Sequence, residues 1–233
     1  MKLARLLISA VLLAAVVAPT PMAAHSLESL EQDLHEKEKF FEIKNVPAPD
    51  FTLQDADDNS VSLSDLRGKI VVLHFVYASC PDVCPLHADV IARIQEMVNQ
   101  TPMRDQVQFV TVTTDPERDT AEVLRGYGEA HGLDPANWVF LTSGPDRPEA
   151  TRELVEAFGH GFTVTEDGLQ MHGVVTHVID QQGTLRGNFH GLEFDPTNLV
   201  VYLNGLVNAG APHGDEAAQG TIPSIWQRIL SLF

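Results

Sequence analysis

Both cysteines of this 233-residue chain stand in one segment, Cys80-Pro-Asp-Val-Cys84-Pro. The apolar run Ile70 to Val76 precedes it, and a helical pattern follows it directly. Two thiols held this close at a strand-to-helix junction restrict both the fold and the chemistry. As a structural staple they would achieve little: a disulfide closing so short a loop contributes roughly 2 kcal/mol in the chain-entropy picture, against about 4.7 kcal/mol for a loop of 100 residues. Such a pair suits reversible oxidation, or a joint grip on a soft metal ion.

The flanks of the chain bound where it works. Residues 1–24 read as an export signal, with Lys2 and Arg5 ahead of the apolar run Leu6 to Ala18 and small residues up to Ala24. The run is short for a bilayer span, so cleavage is the expectation, with retention as an anchor the alternative. Without that segment 13 basic residues face 32 acidic ones, a formal charge of −19. A surface of that sign excludes nucleic acid as a partner. Residues 25–45 are rich in charge, with Leu27, Leu30 and Leu34 at helical spacing, and read as a solvated arm or a short helix. One domain is expected over 46–209, then a Gly/Ala-rich linker over 210–220. In the tail, 221–233, Ile222, Ile225, Trp226, Ile229, Leu230 and Phe233 share one helical face. That face can lie on a membrane surface, dock on a partner or pack back on its own domain.

Within the domain the hydrophobic pattern alternates between strands and helices. Phe51 to Gln54 and Ser60 to Leu63 predict two short strands around a turn at Asp57-Asp58-Asn59, and Ile70 to Val76 a central strand buried on both faces. The spacing from Pro85 to Val98 predicts an amphipathic helix with Pro85 at its first position. Val107 to Thr113, a helix capped by Asp119 or Thr120 and running toward His131, Trp138 to Leu141, and a helix from Pro148 to Phe158 follow. A hairpin of Val174 to Asp180 with Thr184 to Phe189 and a helix from Pro196 to Val207 close the domain. The pattern is that of an α/β protein, a central mixed β-sheet flanked by helices. A thiol pair where the first long strand meets its helix is the topology of the thioredoxin fold.

The helix dipole and free N–H groups beside Cys84 favour thiolate there, which redox chemistry and metal binding both require. Opposite the thiols, oxidoreductases of this fold carry a cis proline before the last hairpin, whereas this chain reads Gly173-Val174-Val175-Thr176. His172 stands immediately upstream, where a general disulfide exchanger has no use for an imidazole.

Four motifs in order, Cys80-Pro-Asp-Val-Cys84-Pro, Asp115-Pro-Glu-Arg-Asp-Thr120, Trp138-Val-Phe-Leu-Thr142 and a histidine eight residues before Asp180, resemble the Sco/SenC copper proteins of cytochrome c oxidase assembly. The resemblance runs from about Val46 to Asn208. It implies a copper site made by Cys80, Cys84 and His172. Two thiolates and an imidazole suit Cu(I) and tolerate Cu(II), and three ligands leave an open position for handing the metal on. The family usually has an acidic residue just before the ligand histidine, and this chain has Met171, either a packing residue or a soft thioether ligand.

His87, one helical turn past Cys84, is expected exposed on the first turn, with a fourth ligand as the alternative. His74 is expected in the core, His177 at an edge or in the core with a ligand role as the alternative, and His190 near the rim of the site. Asp115 and Asp119 are expected to serve as caps and turn residues or to support the site.

The function expected is an exported, periplasmic metallochaperone, free or associated with the inner membrane. It would deliver copper to a cytochrome oxidase subunit or another copper protein and would not be an enzyme in the turnover sense. The alternative is a thiol-disulfide reductase in which Cys80 and Cys84 form the redox dithiol and keep the oxidase's copper-ligating cysteines reduced. A thiol peroxidase is disfavoured, because its motif wants Thr or Ser three residues before the reactive cysteine and this chain has Tyr77 and Pro81 there.

Overall fold

The computed structural model describes residues 26–165 and 170–210. The expected signal over 1–24 and the amphipathic tail over 221–233 lie outside the described residues, and no described helix is long and apolar enough to cross a membrane.

The chain runs α1 (Leu27–Lys37), β1 (Phe41–Pro47), β2 (Thr52–Gln54), β3 (Ser60–Ser62), β4 (Ile70–Val76), α2 (Val83–Asn99), β5 (Val107–Thr113), α3 (Ala121–His131), β6 (Trp138–Leu141), α4 (Pro148–Ala157), β7 (Thr163–Val164), β8 (Gln170–Met171), β9 (Val175–Ile179), β10 (Thr184–His190) and α5 (Pro196–Gly210). Six strands form one mixed sheet in the order β1-β10-β9-β4-β5-β6. β4, β5 and β6 are parallel, while β9, β10 and β1 run antiparallel to their neighbours.

β4 lies at the centre of this sheet because every one of its residues is buried. Its alternation splits the core: Ile70, Val72 and Val76 join Ala88, Ile91 and Ile94 of α2 and Leu199 and Leu203 of α5, while Val71, Leu73 and Phe75 join Leu154 and Val155 of α4 and Leu63. The arrangement is thioredoxin-like, as the motif at the β4–α2 junction predicts. Among the described residues no peptide bond is cis, so Val175 does not reproduce the bend that proline gives oxidoreductases of this fold.

The charge-rich segment read as a solvated arm or a short helix is a short helix, and it is built into the domain. Helix α1 packs on α5, and β1 extends the sheet by pairing with β10. The anchor is an ionic one: Glu31 Oε1 accepts from Arg186 Nη2 at 2.7 Å and from the Tyr202 hydroxyl at 2.9 Å. Glu31 is 6 % exposed, so its apolar neighbours leave it no water to fall back on.

Three histidines are enclosed by the core. His74 of β4 and His87 of α2 pack tilted against each other with ring centroids 4.8 Å apart, and His177 of β9 packs against Phe75 and Phe158. The core is among the places expected for His74 and His177, but the burial of His87 is a correction. The helix begins at Val83, two residues earlier than predicted, and its inward stripe is Cys84, His87, Ala88, Ile91, Ile94, Gln95 and Val98, while Leu86 is 54 % exposed. His87 Nε2 lies 2.9 Å from Thr176 Oγ1 and is placed by that contact.

Two outcomes follow. Glu31→Ala leaves Arg186 half-buried without its principal partner and should cost about 3 kcal/mol, read as a lower urea midpoint at unchanged slope; an unchanged midpoint would mean that α1 is not held as described. Burial pushes His87 and His177 down to about 3 and His74 well below its ordinary value. The unfolded chain therefore binds more protons than the folded one between about pH 3 and 6.5. Stability should be full near pH 7 and fall on acidification through that window, at about 1.4 kcal/mol per pH unit for each proton taken up. Urea titrations at successive pH values would show a flat line if these rings were accessible.

Candidate metal centre

The helix α2 opens without the usual side-chain cap. Asp82 occupies the N-cap place, yet its carboxylate accepts no hydrogen bond from the first turn. The sulfur of Cys80 takes that role and accepts from the backbone N–H groups of Asp82 and Cys84. The thiol of Cys84 and the hydroxyl of Tyr77 also donate to it. Burial opposes the charged form of Cys80, but these donors outweigh it and hold the Cys80 thiol below its ordinary value. Free N–H groups at a helix start stabilise a thiolate as they would a carboxylate.

Cys84 behaves in the opposite way. It is 3 % exposed, and burial pushes its thiol up, reinforced by the neighbouring Cys80 and by the charge of Asp119; the Tyr77 backbone N–H only partly compensates. The expectation that the helix would favour thiolate at Cys84 is therefore corrected. Because the helix starts at Val83, Cys84 lies inside its first turn with its sulfur facing the core, and the exposed N–H groups converge on Cys80 instead. Both are free thiols.

The support for Cys80 reaches beyond its own turn. Asp119, 3 % exposed, accepts from the Ala78 N–H at 3.1 Å and from the Thr113 hydroxyl. It thereby fastens the chain two residues before Cys80 to the start of α3. Burial raises the Asp119 carboxyl above its ordinary value. The cap of α3 is Thr120, and Asp115 holds the Arg118 guanidinium. The Tyr127 hydroxyl donates to the Cys84 carbonyl at 3.3 Å.

His172 is carried on the segment after the β7–β8 hairpin. It is half-buried, and burial holds its imidazole below the ordinary value, against a backbone hydrogen bond to Gly173 that works the other way. Its Nδ1 lies 3.0 Å from the Gly173 carbonyl, which leaves Nε2 for another partner. A ring neutral at pH 7, with one nitrogen tied to a carbonyl, is the usual form of a metal-ligating histidine.

The segment reaches the dithiol through Tyr77. The Tyr77 hydroxyl donates to Cys80 and accepts from the backbone N–H of Gln170, two residues before His172, and the Thr114 hydroxyl donates to the Gln170 side chain. Burial, followed by the Cys80 contact, pushes the Tyr77 phenol up to about 12. Among the described residues, no three His, Cys, Asp or Glu side chains are gathered closely enough to hold a metal ion. The structure thus brings Cys80 and Cys84 together and leaves His172 on the neighbouring hairpin. Met171 is in β8, and its side chain lies outside the described residues. His190 is turned to Glu42, 3.1 Å from its carboxylate.

A dithiol at the start of the helix that follows the central strand defines a thioredoxin-fold dithiol protein. Within that class the chain matches SCO1/SenC over residues 43–208 and belongs to that family. A putative copper-binding protein of Stutzerimonas stutzeri is 29 % identical over 160 residues, which are 66 % of this chain and 74 % of the relative. A SCO1/SenC family lipoprotein of Bacillus anthracis is 26 % identical with a TM-score of 0.64, over 70 % of this chain and 95 % of the other. BsSco, described by its structure as containing a disulfide switch and as a member of the Sco family of cytochrome c oxidase assembly proteins, is 21 % identical with a TM-score of 0.63 over 72 % of this chain and 96 % of the other.

The difference between the two thiols has a direct consequence. At pH 7.5, iodoacetamide should modify Cys80 well before Cys84, with a rate that rises through an apparent pKa below that of an ordinary thiol. Mass spectrometry of the peptides would expose equal labelling if the helix start did not select Cys80.

Proposed function

We propose that this protein is a copper chaperone. It holds one copper ion through Cys80, Cys84 and His172 and passes it to a copper centre of a respiratory cytochrome oxidase. The observation that carries this reading is the donor set at one edge of the fold: a thiol kept low in pKa by a helix start, a second thiol beside it, and a neutral imidazole with Nε2 free. Two sulfurs and one nitrogen are soft enough for Cu(I). Structural zinc sites close with four protein ligands and have no open position. The relation to a copper-binding protein and to an oxidase assembly protein supports the cargo and the recipient. The signal-like residues 1–24 and the likeness to a lipoprotein support a place outside the cytoplasm, in the periplasm at or near the inner membrane.

Loading requires the His172 side chain to swing to the dithiol and Cys84 to give up its proton. Release reverses both steps, and the recipient's ligands enter at the open position.

A second reading is favoured by the unequal thiols. The Cys80 thiolate would attack a disulfide of the partner to form a mixed disulfide, and the Cys84 thiol, losing its proton, would then displace the partner. The partner leaves as a dithiol, and this protein is oxidised to a Cys80–Cys84 disulfide that an external dithiol must reduce. His172 takes no part in that sequence.

Titration of the reduced protein with Cu(I) against a chromophoric competitor tests the reading. One equivalent should bind tightly, and His172→Ala and Cys80→Ser should each weaken it by at least tenfold. Because Cys84 binds copper only as thiolate, the apparent affinity should rise between pH 6 and 8, by up to tenfold per pH unit for each proton released. Affinity untouched by His172→Ala, with a readily reversible Cys80–Cys84 disulfide, would favour the reductase.

A further inference from the structure

His160 and His177 form a buried pair for which neither the fold nor the donor set just described has a use. Helix α4 ends in a Schellman turn: Gly159 takes φ +89°, and the His160 N–H donates to the Val155 carbonyl at 3.2 Å. This ending turns the His160 ring inward, leaving the residue 8 % exposed. Its Nε2 lies 2.7 Å from Nε2 of His177, which has no exposed surface. On the far side, His177 Nδ1 lies 2.7 Å from Asn188 Oδ1, and Asn188 Nδ2 donates to the Glu42 carboxylate at 3.3 Å. That last contact sets the amide, so His177 donates from Nδ1 and its Nε2 accepts from His160. One edge of the His160 ring is therefore fixed to the core strands β9 and β10.

The opposite edge faces the segment that carries His172. A Cβ built on Gly173 would lie 2.7 Å from His160 Nδ1, closer than side chains pack, so the ring lies against this backbone and any larger residue would force one of them to shift. The His160 and His172 ring centroids are 6.5 Å apart. Gly173 is also the residue whose carbonyl holds His172 Nδ1.

We propose that His160 is a positioning residue for His172: it ties the Gly173 backbone to the core through His177, Asn188 and Glu42, so that only the His172 side chain must swing to meet the dithiol. A buried polar chain of this length costs desolvation that an apolar core would not, and a structural role alone would be met by hydrophobic residues. The proposal rests on His172 being a copper ligand. It adds that the ligand's geometry is set by a residue at the end of α4 with no contact to copper.

The test uses His160→Ala, His160→Gln and Gly173→Ala in the whole protein, beside wild type and His172→Ala. His160→Ala and Gly173→Ala should each weaken Cu(I) binding by about tenfold or more, the range seen for partners that orient metal ligands. The Cys80–Cys84 reduction potential should stay as in wild type. His160→Gln, which keeps a donor for His177, should recover part of the affinity. In the copper-free protein, imidazole nitrogen NMR should show His172 protonated at Nδ1 in wild type and averaging between tautomers in His160→Ala. Wild-type affinity in His160→Ala, or a reduction potential displaced along with it, would overturn the proposal. If His172→Ala binds copper like wild type, the copper reading has failed instead, and an unchanged His172 tautomer in copper-free His160→Ala then overturns the positioning role as well.

Discussion

The sulfur of Cys80 at the start of α2 is the contact on which the rest of the site depends. A helix start presents N–H groups with no partner in the helix, and these must be met by a side chain, a ligand or water. Asp82 stands in the place where a carboxylate would meet them, but it does not. The helix is capped by a thiol, so the same hydrogen bonds that complete the helix prepare the sulfur for chemistry. This couples site and fold: whatever takes the Cys80 electron pair, a metal ion or a disulfide partner, competes with the first turn of α2. Cys84, within the first turn and facing the core, gains nothing from the exposed N–H groups and is pushed the other way by burial. The asymmetry of the pair thus comes from helix register, a matter of two residues.

Around this contact the protein spends much of its polar interior on orientation. Asp119 fixes the backbone before Cys80, Tyr77 bridges Cys80 to the hairpin of His172, and His160 and His177 connect that hairpin's far end to the sheet. Each is a buried group whose hydrogen bonds cost desolvation to install and are worth more in a low dielectric once made. If the site receives a metal and releases it, as proposed, its ligands must approach along a fixed path without being locked together. Dithiol and imidazole on separate elements, joined through the Tyr77 hydroxyl, meet both demands.

Much of the fold is legible in the sequence because its central strands are apolar without interruption. β4, β5 and β6 fall where the runs Ile70 to Val76, Val107 to Thr113 and Trp138 to Leu141 place them. The amino-terminal elements are not legible in this way. Only Glu31 and Leu34 of α1 are buried, and β1 is an edge strand whose residues after Phe41 are largely exposed, so neither shows a clean period. The buried carboxylate that docks α1 meets an arginine 155 residues away, a pairing no local pattern reveals. His87 fails for a different reason. Its polarity argues for the outer face, but the stripe set by Ile91, Ile94 and Val98 carries back through His87 to Cys84, and the ring is accommodated by Thr176 and His74.

The site divides along the same line. Cys80 and Cys84 declare themselves because they are neighbours in the chain, and their chemistry follows from the strand and helix on either side. His172 is legible only through resemblance, since a histidine 88 positions beyond Cys84 shares no period or motif with it. His160 is not legible at all: it is the residue after a glycine that ends a helix, and its value depends on which way that ending turns it. Residues that bear chemistry are concentrated by the strand-to-helix junction, whereas residues that aim them are distributed by the topology. Order of sheet strands brings β9 beside β4 and β10 beside β9, and only then does a ring at the end of α4 lie between the core and the His172 segment. The aim of the site is thus a property of the assembled sheet, and it should be lost with partial unfolding of the β9–β10 pair before the thiol pair itself is disturbed.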